Sequence, residues 1–179
     1  MDGGWRLRKC LHPYPNDCKY GISVDHTDMR LSLLKAGTHP DPRGDAGTYF
    51  FTYSLLPHNS PFSAASVVRP GYELNVPVVA RPASARATGK QSLLTIGNPA
   101  VIVESVKRAE DGNGFVLRLY EAEGNRCTAK IRFGLPVTVQ QTNMLEEKAG
   151  PVRTTGNACK LVFRPFEIKT LRCRPRGTR

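Results

Sequence analysis

Apolar and polar residues along the chain follow the two-residue period of β-strands far more often than the longer period of helices. The run CTAKIRF at residues 127–133 alternates cleanly, so one set of side chains is expected to face a core and the other solvent. Shorter runs of the same kind predict strands at 101–103, 114–120, 137–139, 160–163 and 168–173. Between them, DGNG at 111–114 predicts the tight turn of a hairpin, and EGN at 123–125 a second turn. Earlier in the chain, LSLL at 31–34 reads as a strand ending at KAG (35–37). The aromatic and β-branched run 49–56 (YFFTYSLL) reads as a strong one. The loop between them, residues 38–47, is dense in proline, glycine and aspartate. Residues 104–110 have helical composition but are too few for a stable helix, and no segment carries a cap followed by a sustained apolar stripe.

Short strands at regular spacing, joined by turn-rich loops, predict an all-β fold, an antiparallel β-sandwich. Nothing repeats internally, which argues against a solenoid or propeller. Residues 83–90 (ASARATGK) read as a linker or exposed loop, and residues 1–15 show no periodicity. The chain has 179 residues, 40% of them hydrophobic, enough for a packed core. No apolar run nears the roughly 20 residues needed to span a bilayer, and no apolar segment backs the N-terminal basic residues as a secretory signal would.

The net charge of +11 raises nucleic-acid binding as a possibility. Arg172, Arg174, Arg176 and Arg179 supply four of these charges. The remaining +7 is dispersed, with no basic block and no basic–aromatic interleaving, so nucleic acid is disfavoured as a partner. The cysteines at 10, 18, 127, 159 and 173 are odd in number and form no CxxC pair. They read as reduced thiols of a cytoplasmic protein.

Candidate chemistry is sparse. His39, Asp41 and Asp45 share one loop, but turn formation explains the aspartates as well as metal ligation does, and no second histidine follows at helical zinc spacing. His26 and His58 read as surface or capping groups. No GxSxG elbow or phosphate-binding glycine loop is present. A retaining glycosidase needs two carboxyl groups about 5 Å apart. Glu146 and Glu147, or Glu110 and Asp111, are neighbours that a strand would send to opposite faces. Glu121 and Glu123 could share a face only if the strand continued through the turn. No catalytic residue is assigned.

A set of colinear motifs carries the rest of the reading. NDCKYG (16–21), RLSLLKA (30–36), PDP (40–42), DAG (45–47) and FTYSLLPH (51–58) occur in order. They are followed by YELNVP (72–77), VKRAE (106–110), RLYEA (118–122), TNMLEE (142–147) and FRPFEIKTL (163–171). Together they resemble the C-terminal region of glycoside hydrolase family 38 α-mannosidases of the cytosolic and bacterial type. The resemblance implies that residues 16–82 are closing strands of a galactose-mutarotase-like supersandwich. It further implies that residues 91–175 are a small C-terminal β-sandwich, with 176–179 a basic tail.

In that family zinc and the catalytic aspartate belong to an N-terminal barrel, so no zinc site is expected in this chain, and the barrel is the expected partner, in cis or as a separate chain. The loop of residues 16–21 would approach the sugar cleft, which makes Asn16, Asp17 and Lys19 substrate-contact candidates; mannosides and oligosaccharides are the expected ligands. Residues 1–15 depart from the family, as a shifted reading frame or misassigned start would produce. Tyr49 stands where the family has a histidine. Two rivals remain: a stand-alone carbohydrate-binding β-sandwich, with Tyr49, Tyr53 and Tyr72 as platform candidates better suited to core packing, and a basic interaction module using the arginine-rich tail.

Overall fold

A computed structural model describes residues 17–26, 28–58, 61–82, 89–147 and 150–177. Its centre is a sandwich of two four-stranded antiparallel sheets. One has the order β4-β5-β10-β7, from β4 (Val101–Arg108), β5 (Phe115–Glu121), β10 (Ile168–Pro175) and β7 (Val137–Thr142). The other has the order β3-β6-β9-β8, from β3 (Leu94–Ile96), β6 (Cys127–Phe133), β9 (Ala158–Phe163) and β8 (Thr154–Thr155). The all-β reading holds, and every strand expected after residue 100 is present. Residues 104–108, despite their helical composition, complete β4.

Alternation decides which faces are buried. In β6 and β9 the inward residues Ala129, Ile131, Phe133, Cys159, Leu161 and Phe163 are buried, whereas Thr128, Lys130, Arg132, Lys160 and Val162 are exposed. Val101, Leu117, Leu119, Val137, Val139, Leu171 and Cys173 meet them from the other sheet. Each large apolar side chain so buried stabilises the fold by about 1.5–3 kcal/mol. The β4–β5 hairpin closes at the expected turn, where Gly114 has φ 92°. A Cβ there would stand 2.3 Å from the Cys173 carbonyl oxygen, so both conformation and space require glycine.

Strand β4 contains a bulge: Val103 pairs with Leu119 and Ser105 with Arg118, which leaves Glu104 without an opposite residue. A short helical segment covers this part of the outer sheet face. It consists of a π-type stretch, Ala64–Val68, running into α1 (Arg69–Asn75). Ser63 caps it reciprocally with Ser66, and Pro70 occupies the first turn, where its missing N–H costs nothing. Ala64, Val68 and Tyr72 pack on Ile102, Tyr120 and Ala122. YELNVP gives no helix signal by itself, because Pro70 and Gly71 interrupt the apolar spacing that leads into it.

The chain before the helix is different in kind. β1 (Gly21–Asp25) and β2 (Asp28–Ser32) form a hairpin whose residues are nearly all exposed. The expected strand over 49–56 does not form. Phe50 is 91% exposed and Tyr53 59%, and among the described residues the run joins no sheet. β-propensity is the capacity to fit a half-buried pleated surface, and among the described residues no sheet offers one beside it. Val78 is likewise 96% exposed. The expected loop at 83–90 falls mainly on 83–88, outside the described residues. No helix among the described residues is long and apolar enough to cross a membrane.

Candidate functional site

Of the three residues expected near sugar, Asn16 lies outside the described residues, and the structure brings Asp17 and Lys19 to one exposed cluster. Asp17 is clamped to the stretch 49–53. Its Oδ1 accepts the Thr52 amide hydrogen at 2.9 Å, and its own amide donates to the Thr52 carbonyl at 3.2 Å. The Thr52 amide is the main reason that the Asp17 carboxyl sits below the ordinary aspartate range, with Cys18 adding to the effect. The neighbouring carboxylate in turn pushes the Cys18 thiol up. Tyr20 does not pack into a core: it is 75% exposed, and its hydroxyl donates to the Asp17 carbonyl at 3.2 Å.

Lys19 Nζ stands 5.2 Å from the Tyr49 ring centroid and 5.9 Å from that of Phe51, within cation–π range. Phe51 and Tyr53 follow with centroids 6.5 Å apart, and the Tyr49 hydroxyl donates to the Asp45 carbonyl at 2.6 Å. Residues 49, 51 and 53 lie on one face of an extended segment. The partial two-residue period of this run was the signal that could have joined Tyr49 and Phe51 to Lys19. Tyr49 and Tyr53 are exposed rather than core-packed, which corrects the expectation for those two, while Tyr72 is half-buried against the outer sheet face.

A carboxylate, an ammonium and adjoining aromatic faces supply the acceptors, donors and apolar plane that polyhydroxyl ligands use. The other acidic candidates have structural partners. The Glu121 carboxylate is wholly buried and accepts the amides of Glu123, Gly124, Asn125 and Phe166; Glu123 accepts the Ala64 amide at 2.9 Å. Asp41 accepts the Arg43 amide at 2.9 Å, as a turn former does, and His26 bonds Asp25 at the surface. Among the described residues no group of three or more His, Cys, Asp or Glu side chains could hold a metal ion, so the zinc of the resemblance has no fitting ligand set there.

Residues 100–171 match the model described as the glycosyl hydrolases family 38 C-terminal beta sandwich domain, which spans β4 to the first half of β10. Over 163 residues the chain is 40% identical to Alpha-mannosidase 2C1 of Homo sapiens, covering 87% of this chain and 16% of that protein. Over 165 residues it is 36% identical to Alpha-mannosidase G of Dictyostelium discoideum, covering 88% and 15% respectively. A yeast Alpha-mannosidase (Saccharomyces cerevisiae) is 28% identical over 181 residues, with 88% and 17% covered. The chain therefore spans about 16% of the length of the relatives it matches. With two sheets in the architecture that the family model describes, residues 100–171 form a glycosyl hydrolases family 38 C-terminal beta sandwich domain, within a chain that is similar through 87% of its residues to an α-mannosidase.

Proposed function

We propose that the chain is the C-terminal β-domain of an α-mannosidase, inactive by itself, that supports the zinc-dependent catalytic domain and lines one side of the mannoside cleft with Asp17, Lys19 and Asn16. The observation that carries this reading is the contrast within the described residues. The sandwich buries its apolar faces, whereas Phe50, Tyr53, Leu55, Val78 and Val79 stand largely in solvent. Exposed apolar surface of this extent marks an interaction site, and the natural occupant is the remainder of an enzyme of which this chain matches about 16%. In this reading the protein acts in cytoplasmic mannose and oligosaccharide catabolism, and zinc is held by the catalytic domain.

The test is a chimera in which residues 17–177 replace the matching region of Alpha-mannosidase 2C1. Hydrolysis of 4-nitrophenyl α-mannoside by the chimera, and none by the isolated chain, supports the proposal. A folded but inactive chimera, or activity from the isolated chain, overturns it. Replacing Asp17 by Ala in the active chimera is expected to raise KM more than it lowers kcat, as loss of a substrate contact does.

A further inference from the structure

We propose that the outer face of the β4-β5-β10-β7 sheet holds a second carbohydrate site, separate from residues 16–21, that takes one neutral pyranose unit on Phe166. The starting point is a conformational outlier. Residues 164–167 form a turn in which the Glu167 amide donates to the Arg164 carbonyl at 3.1 Å, with Pro165 second and Phe166 third. The third position has φ 55°, a conformation that ordinarily calls for glycine or asparagine. A bulky side chain there is strained. The residue is nevertheless 69% exposed, so burial in the core does not explain the choice.

The ring is held in place from below. The Phe166 amide donates to the buried Glu121 carboxylate at 3.0 Å, and the same carboxylate fixes the turn containing Gly124. A Cβ on Gly124 would lie 2.7 Å from the Phe166 Cζ, so the ring rests directly on that glycine. A single carboxylate thus sets two turns that seat one aromatic ring against backbone and leave it open to solvent. That is the arrangement of a stacking platform for the apolar face of a sugar ring.

Beside the platform is a cavity of about 470 Å3, lined by Val68, Glu104, Arg118, Tyr120, Met144 and Phe166 among others. This is room for one sugar residue with water. Glu104 is the bulged residue of β4, and bulges re-aim side chains beside functional sites. Its carboxylate receives the Tyr72 hydroxyl, which is 3.4 Å from that of Tyr120. Arg118 Nε is buried without a hydrogen-bond partner among the described residues, and its Nη2 reaches only the Met144 carbonyl, at 3.4 Å. Glu121 lines the same cavity with its oxygens taken by four amides, so the Arg118 guanidinium and the Glu104 carboxylate are the charged groups left to offer donors and acceptors for hydroxyl groups. An anionic ligand meets Glu104 and a cationic one meets Arg118, which leaves a neutral polyhydroxyl ring as the fitting occupant.

The test is amide NMR of the full chain titrated with methyl α-mannopyranoside, methyl α-glucopyranoside and, as a charged control, glucuronate. Saturable shifts at Gly124, Asn125 and Phe166 with a neutral glycoside are expected. Phe166→Leu and Arg118→Met should each weaken that binding about tenfold, Phe166→Trp should retain it, and Asp17→Ala should leave it unchanged. Absence of saturable shifts overturns the proposal. So do shifts insensitive to Phe166→Leu, tighter binding of glucuronate, or loss of binding in Asp17→Ala, which would assign the sugar to residues 16–21. The outcome does not depend on whether the chimera hydrolyses mannosides.

Discussion

The Phe166 amide donates to the Glu121 carboxylate at 3.0 Å across 45 positions of sequence, which ties the turn before β10 to the end of β5. The amides of Glu123, Gly124 and Asn125 converge on the same two oxygens at 2.8–3.2 Å. Removing the carboxylate leaves several part-buried N–H groups without their acceptor. Glu121→Ala is therefore expected to destabilise the chain by about 3 kcal/mol, read as a lower midpoint in urea denaturation. Glu121→Gln, which turns an NH2 group toward those donors, should lose a large part of the same stability. Both variants should splay the two turns, visible as shifted amide signals at 123–125 and 166.

The same group makes stability depend on pH. Burial alone would raise the Glu121 pKa, but the amides of Phe166, Glu123, Asn125 and Gly124 outweigh it and hold the carboxyl below its ordinary 4.5. Asp111 is held low as well, first by the Asn113 amide and further by Arg172. A carboxyl with a depressed folded-state pKa contributes stability that is complete above its unfolded value and is lost as pH falls through the folded one. Denaturation midpoints should accordingly hold steady from neutrality to about pH 5 and then decline. In Glu121→Gln the decline below pH 4.5 should be shallower than in the parent.

Lys130 of β6 stands directly opposite Lys160 of β9, and both are exposed. Like charges facing across a strand pair repel, whereas opposite charges attract. Lys160→Glu should stabilise the sandwich by about 0.5 kcal/mol at low salt, with the gain shrinking as ionic strength rises. Thermal melts at two salt concentrations read this directly.

Aromatic residues in the two parts of the chain should respond oppositely to truncation. Phe163 is fully buried, and Phe163→Ala should cost about 3–5 kcal/mol. Phe50 is 91% exposed, and Phe50→Ser should change the unfolding midpoint little while reducing self-association in sedimentation.

How much of this could be read from sequence follows from what each segment packs against. In β6 and β9 the alternating residues meet a partner sheet within the chain, so pattern and structure coincide. The DGNG turn was legible because the hairpin it closes needs positive φ at its glycines, which Gly112 and Gly114 supply. The run 49–56 has the composition of a strand but no neighbour to pair with among the described residues, so local preference goes unrealised. Asp17 and Lys19 stand out by resemblance; their aromatic companions sit thirty or more positions away, and only folding brings them near. In sequence Phe166 is one residue of the FRPFEIKTL motif. Its positive φ, its seat on Gly124 and its tie to Glu121 are properties of three dimensions that spacing does not encode.

If the proposed function holds, the sandwich folds by itself and residues 17–58 are completed by a partner surface. Hydrogen exchange of the isolated chain, resolved by peptide and repeated on the chimera with Alpha-mannosidase 2C1, distinguishes the two segments. Strong protection across residues 101–175 in both samples is expected, with weak protection of residues 17–58 in the isolated chain that rises in the chimera. Equal protection of both segments in a monomeric isolated chain, or no gain over 17–58 in the chimera, would contradict the proposed function.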